Sequence, residues 1–217
     1  MSQYTDLRVM MVDTQVRPSD VTKFPIIEAM LVVPREDHVP VSRRAAAYVG
    51  GAVPYGNGRE LLEARTLAKL LDAMDVQPSE TVLAVGAGLG YGAAVLARLA
   101  ASVVALEEDA ALADGARAAL AAHGVSNAEV VTGALAAGHG AKAPYDLIVI
   151  EGGVETVPAA LLAQLNEGGR IGAVFMEGAL GTVKVGLKTE GKVTWRYAFN
   201  ATSPVLPGFA QARAFAL

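Results

Sequence analysis

No cysteine occurs among the 217 residues, which excludes disulfide frameworks, thiolate zinc sites and cysteine nucleophiles together. Histidine is almost as scarce. His38, His123 and His139 fall in predicted loops and at a helix end, have no metal-ligand spacing, and read as solvated residues. Charge is thin at 18% of residues, below the ~25% typical of soluble domains. Eighteen Lys and Arg against 22 Asp and Glu leave a net charge of −4 with no basic stripe, a poor basis for neutralising nucleic-acid phosphates. Long apolar runs are missing as well. The least polar stretch, Thr81 to Ala97, is interrupted by Gly86, Gly88, Gly90 and Gly92, whereas a membrane-spanning helix wants about 20 apolar residues. The first 17 residues carry Asp6, Arg8, Asp13 and Arg17 with no apolar run, unlike a signal peptide. There is neither a G-x-S-x-G nucleophile elbow nor a P-loop. These absences predict a soluble, cytoplasmic protein whose partners are neither nucleic acid nor membrane.

What is present is apolar: 53% of residues are hydrophobic, enough to build a core and incompatible with disorder. The length suits one domain, read as a helical N-terminal extension with a substrate loop over 1–78 and an α/β core over 79–217. Ser19-Asp20 is predicted to cap a helix through Ile26, Ile27, Ala29 and Met30, ending near Pro34. Residues 42–58 read as irregular. Leu61, Leu62, Leu67, Leu70, Leu71 and Met74 share one helical face, closed by Gln77-Pro78. Beyond Glu80, short apolar runs at 81–85, 102–106, 129–132, 147–150 and 170–176 alternate with helical patterns at 91–100, 109–123 and 157–165. That alternation predicts right-handed β-α-β units on a parallel sheet. Segments 182–187 and 193–199 flank Glu190-Gly191 as an antiparallel hairpin, and 210–217 is a candidate last strand.

The strongest chemical signal is the run from Thr81 to Tyr91, TVLAVGAGLGY: a buried strand, a glycine turn, then a helix. Such a turn lets a ligand approach the backbone while the helix start offers free N–H groups. The glycines are spaced G-x-G-x-G, with Tyr91 where a dinucleotide fingerprint needs Gly or Ala. A bulky residue there crowds a pyrophosphate, so the spacing favours S-adenosylmethionine over NAD. Glu107, 21 residues after Gly86 at the end of the next strand, is placed to accept both ribose hydroxyls, with Glu108 as neighbour. The competing reading makes Glu107-Glu108-Asp109 the N-terminal cap of the following helix.

These residues resemble the protein-L-isoaspartate O-methyltransferases over nearly the whole chain. The likeness is carried by Ile27–Glu36 with His38-Val-Pro40, by Ala47-Tyr48 with Val53–Gly58, by Val82–Leu99, and by Pro144–Ile148 and Gln164–Arg170. The resemblance implies a class I S-adenosylmethionine-dependent methyltransferase sheet, Rossmann-like, with antiparallel C-terminal strands. It implies a repair enzyme that methylates the α-carboxylate of isoaspartyl residues in proteins or peptides, or acts on an altered acceptor. The implied cofactor contacts are Gly86, Ala87, Gly88, Gly90, Tyr91, Glu107, Glu108, Ala134 and Leu135. The implied substrate contacts are Tyr55, Gly56, Glu60, Leu61 and Leu62. Three departures stand out. The family's Thr-x-Ser stretch reads Glu60-Leu61-Leu62, so Leu62 occupies the Ser position. Its acid two residues before the first loop glycine is Ala84, and its Gly-Asp-Gly turn is Gly133-Ala134-Leu135. A carboxylate at Glu60 repels a carboxylate substrate, which disfavours isoaspartyl turnover. The alternative function is a catalytically impaired homologue acting as a binding or assembly module. Leu206-Pro-Gly-Phe209 reads as a turn carrying a packed phenylalanine.

Overall fold

The apolar runs after Glu80 form a seven-stranded sheet. The computed structural model describes residues 3–211. The strands are β3 (Thr81–Val85), β4 (Ser102–Glu107), β5 (Ala128–Thr132), β6 (Tyr145–Val154), β7 (Leu165–Glu177), β8 (Leu180–Thr189) and β9 (Lys192–Asn200), in spatial order β5-β4-β3-β6-β7-β8-β9. The pairs from β5 through to β7 are parallel, and β7-β8 and β8-β9 are antiparallel. Period-two alternation divides the sheet into two cores. Val82 and Ala84 pack with the helices on one face, while Leu83 and Val85 pack with Leu161, Leu206 and Phe209 on the other. The first face is covered by α3 (Ala64–Met74), α4 (Tyr91–Ala97) and α5 (Ala110–Ala122), together with α1 (Gln3–Met11) and α2 (Phe24–Val32). The second carries the one-turn α6 (Ala159–Leu162) and the segment around Leu206 and Phe209. Among the described residues no helix is long and apolar enough to cross a membrane.

Several boundaries differ from the sequence expectation, each for a local reason. Asp20 does not open a helix: it sits at φ 64°, ending the preceding turn, and α2 begins at Phe24 with Pro25 in its first turn. Within 42–58 the chain is more regular than expected. Val41–Ala46 makes tight helical turns, and β1 (Val53–Gly56) pairs with β2 (Arg59–Leu61) as a separate antiparallel hairpin. The apolar face read from Leu61 to Met74 starts its helix only at Ala64, because Arg59–Leu61 is taken up in that hairpin. Helix 91–100 stops at Ala97, and 157–165 shrinks to Ala159–Leu162. Strands β6 and β7 run longer than their apolar centres, through bulged registers. Glu190 and Gly191, at φ 53° and 73°, form the two-residue turn between β8 and β9. The candidate last strand at 210–217 falls mostly outside the described residues, and Ala210 and Gln211 are not in a strand.

Candidate functional site

The strand order reverses between β3 and β6, and in open α/β sheets the crevice outside the carboxyl ends of the strands at such a reversal is where ligands bind. The glycine turn leaves β3 at this point. The Gly86 and Ala87 N–H groups both donate to the Leu106 carbonyl, at 2.9 and 3.1 Å, tying the turn to the end of β4. Gly86, Gly88 and Gly90 all have positive φ (81°, 56° and 86°), which explains the glycine at each. Gly90 caps the start of α4.

Glu107 ends β4 with 0% exposure. Its carboxylate is fully engaged. Arg59 Nη1 donates to Oε1 and Nη2 to Oε2, each at 2.8 Å. Oε1 also accepts the Glu108 and Asp109 N–H groups, at 2.9 and 3.1 Å, and Oε2 accepts the Gly88 N–H at 2.7 Å. Five N–H donors therefore crowd a group with about four lone-pair sites. Burial alone would lower the Arg59 pKa, but the hydrogen bonds and charge of Glu107 outweigh it and raise it. The helix cap that the competing reading gives to this acidic triplet belongs to Asp109 alone, which accepts from the Ala111 and Leu112 N–H groups.

Two more side chains lie on the turn. A Cβ at Gly88 would fall 2.3 Å from the Tyr55 ring, and one at Gly86 would fall 2.9 Å from the Leu206 side chain. Leu206 also covers Gly152, where a Cβ would lie 2.6 Å from it. The expected turn is present: the Phe209 N–H donates to the Leu206 carbonyl, and Phe209 is wholly buried. On the other side of the reversal stands Glu151, 6% exposed. Its carboxyl occupies the space beside Gly92, where a Cβ would lie 2.2 Å from Oε2. Burial, then the charge of Glu107, push its pKa up to about 8, against the opposing charge of Arg59. Its Oε1 and the Arg59 Nε are buried without a hydrogen-bond partner.

Of the residues singled out in the sequence, Gly86, Ala87, Gly88, Glu107 and Tyr55 meet at one place. Tyr91 does not face it. Its ring is buried against His38 at 5.8 Å and beneath the Arg35 guanidinium at 4.8 Å, so it anchors the N-terminal segment instead of crowding the turn. His38 is likewise not solvated: Nδ1 meets the Leu89 carbonyl at 2.8 Å, and burial pushes its pKa down to about 4. Glu108 and Ala134 are exposed, and Leu135 packs into the second core. Gly56 is at the exposed hairpin tip. Leu61 and Leu62 are buried; the Leu62 carbonyl accepts from Arg35 Nη2 at 2.7 Å. Glu60 accepts from the Ser203 hydroxyl at 3.3 Å, with its pKa raised by burial. Sequence reasoning passes over Arg59 and Glu151, and reads Leu206 only as part of a turn, with no place on the glycines. Of Arg59 and Glu151, only Glu151 leaves a signal, a carboxylate directly after the apolar run 147–150 and still inside the parallel strand β6.

The sheet order, the glycine turn at its reversal and the strand-end carboxylate define a class I methyltransferase fold of the S-adenosylmethionine-dependent type. A solved protein-L-isoaspartate O-methyltransferase superposes with TM-score 0.80 at 23% identity, over 95% of this chain and 66% of that one. A Plasmodium falciparum structure described as such an enzyme in complex with S-adenosyl-L-homocysteine gives 0.78 at 16% identity, over 95% of this chain and 99% of that one. These two speak to the fold. Sequence relatives are nearer. A protein-L-isoaspartate O-methyltransferase of Methylorubrum extorquens (strain PA1) is 39% identical over 166 residues, 76% of this chain and 72% of that one. One of Methanoculleus marisnigri is 36% identical over 161 residues, 74% of this chain and 73% of that one. Residues 10–197 match the model of the family described as protein-L-isoaspartate(D-aspartate) O-methyltransferase. The chain belongs to that family.

The donor set fits a nucleoside in chemistry: a carboxylate at the strand end, and beside it a turn whose glycines keep Cβ atoms out of the way. The space is taken. Arg59 holds both oxygens of Glu107, and Tyr55 and Leu206 lie on Gly88 and Gly86.

Proposed function

We propose that the chain is an S-adenosylmethionine-dependent methyltransferase acting on a carboxylate of isoaspartyl proteins or peptides, working from an opened form of this seat. The observation that carries the reading is the β3-α4-β4 unit, with its glycine turn facing the Glu107 carboxylate, in a chain of this family. In the opened form Glu107 would take the ribose hydroxyls, and the backbone N–H groups of the glycine turn and of Leu135 would hold the rest of the cofactor, the turn at its methionine part. When bound, the cofactor supplies an electrophilic methyl group. The acceptor is already an anion at neutral pH, so the protein must contribute orientation more than proton transfer. Leu62 has no donor to offer, and an ionised Glu60 only accepts. Turnover on an isoaspartyl peptide is therefore expected to be very slow, and Glu60→Thr with Leu62→Ser is expected to raise it. A tritiated-methyl assay decides: ordinary fast turnover by the wild type, or no gain in the double variant, refutes this account of the acceptor site.

A second reading, a binding or assembly module without turnover, is supported by Arg59 standing in the seat. Calorimetric titration with S-adenosylhomocysteine separates the two. Saturable binding supports the enzyme, and no heat at millimolar ligand, in the wild type and in variants that open the seat, supports the module.

A further inference from the structure

We infer that Arg59 is an internal stand-in for a ligand at Glu107, and that the β1–β2 hairpin gives it up when the vicinal hydroxyls of a nucleoside take its place. This rests on the methyltransferase reading and adds what controls entry to its seat.

The argument starts from Glu107. A buried carboxylate at the end of a parallel strand needs hydrogen-bond donors. Three backbone N–H groups supply some, and the Arg59 fork supplies two more. A diol presents the same two donors to the same two oxygens, so diol and guanidinium compete for one place. Glu107 receives both terminal nitrogens of Arg59, and Nε has no hydrogen-bond partner among the described residues, so every hydrogen bond that the guanidinium makes is one a diol at Glu107 would replace.

The element that carries Arg59 is built to move. β1 and β2 pair only with each other, as a two-stranded sheet apart from the main one, and isolated hairpins are marginal. Their strands are four and three residues long, their register shifts between Pro54 and Gly56, and Gly56, Asn57 and Gly58 at the tip are exposed with positive φ. Tyr55, which lies on Gly88, rides on the same hairpin, so one motion clears both the carboxylate and the turn. Val53 and Leu61 at the base are buried and serve as the fixed end.

The test titrates S-adenosylhomocysteine into the full chain and into Arg59→Gln, Arg59→Lys and Tyr55→Ala, and follows hydrogen exchange of the wild type with and without ligand. Arg59→Gln is expected to bind at least tenfold more tightly than the wild type. Arg59→Lys, which keeps the charge but loses the planar fork, should fall between them, and Tyr55→Ala should also gain affinity. Saturating ligand should speed exchange of the hairpin amides over 53–61 in the wild type. That measurement carries the test even where Arg59→Gln does not fold. If the wild type and the variants bind within threefold of one another, or if ligand leaves hairpin exchange unchanged or slower, the inference fails while the methyltransferase reading stands. If none of the four proteins binds, both fail.

Discussion

Glu151 offers a direct test of the site's electrostatics. Its carboxyl, carried within β6, is buried against Gly92 of α4 and shares its surroundings with Glu107 and Arg59 and with Tyr55 of the hairpin. Its pKa is raised from 4.5 to about 8, chiefly by burial. An unfolded chain ionises this group near 4.5, so between pH 4.5 and 8 the native state holds a proton that the unfolded state has released. Stability therefore falls as pH rises across that window and levels off above it. Each pH unit crossed costs about 1.4 kcal/mol, so the loss is about 4 kcal/mol by pH 8. Glu151→Gln keeps the shape of the neutral acid and removes the titration. At pH 5 the variant and the wild type should melt within a degree or two of one another. At pH 8 the variant should melt higher by about 10 °C, from the ~2–4 °C per kcal/mol expected for a chain of this size. Thermal melts followed by circular dichroism at half-unit steps from pH 5 to 9 provide the comparison. Parallel curves for the two proteins would refute the assignment of a neutral, buried carboxyl to position 151.

Three further outcomes follow from the packing around the glycine turn. Glu107→Ala strands the Arg59 guanidinium in a buried site and should cost about 3–5 kcal/mol by urea unfolding, while Arg59→Met with Glu107→Leu should recover only part of it, because the Gly88, Glu108 and Asp109 N–H groups lose their acceptor; an equal loss in single and double variants would show that the pair is not coupled. Gly88→Val, which a ligand-only role for that glycine would leave within a few degrees of the wild-type melt, should instead destabilise the fold clearly. The new Cβ meets the Tyr55 ring at 2.3 Å on a backbone at φ 56°, and combining it with Tyr55→Ala should relieve the collision but not the backbone strain. Leu206→Ala uncovers Gly86 and Gly152 and should lose about 2–5 kcal/mol; a loss under 1 kcal/mol would mean that the 206–209 turn is not seated on the glycines.

The sheet is legible in the chain because its signals are local. Thr81–Val85 can be read to the residue, and the glycine spacing with an acid at the next strand end marks one β-α-β unit in advance. The Glu190-Gly191 turn is equally plain, since two adjacent left-handed residues are what a tight hairpin requires. Short-range chemistry also misleads. The Ser19-Asp20 pair has the composition of a helix cap, yet Asp20 closes a turn and Pro25 starts the helix. Tyr91 reads as a wall of the ligand site because sequence places it next to Gly90. Only the fold shows that the first turn of α4 points it at Arg35 and His38.

What the tertiary structure alone decided is who occupies the site. Arg59 and Glu107 are 48 residues apart, and nothing in the spacing of either forecasts a bidentate pair. The hairpin that joins them reads as an irregular stretch because its strands are too short for alternation to show. Leu206 reaches Gly86 from the far end of the chain, and Glu151 acquires its raised pKa from burial and from the charge of Glu107 on a strand two places away in the sheet. Local pattern writes the strands and turns, since each depends on neighbours a few residues away. Contacts between distant segments depend on how the whole sheet is assembled, and they determine whether a glycine turn beside a carboxylate stands open or closed.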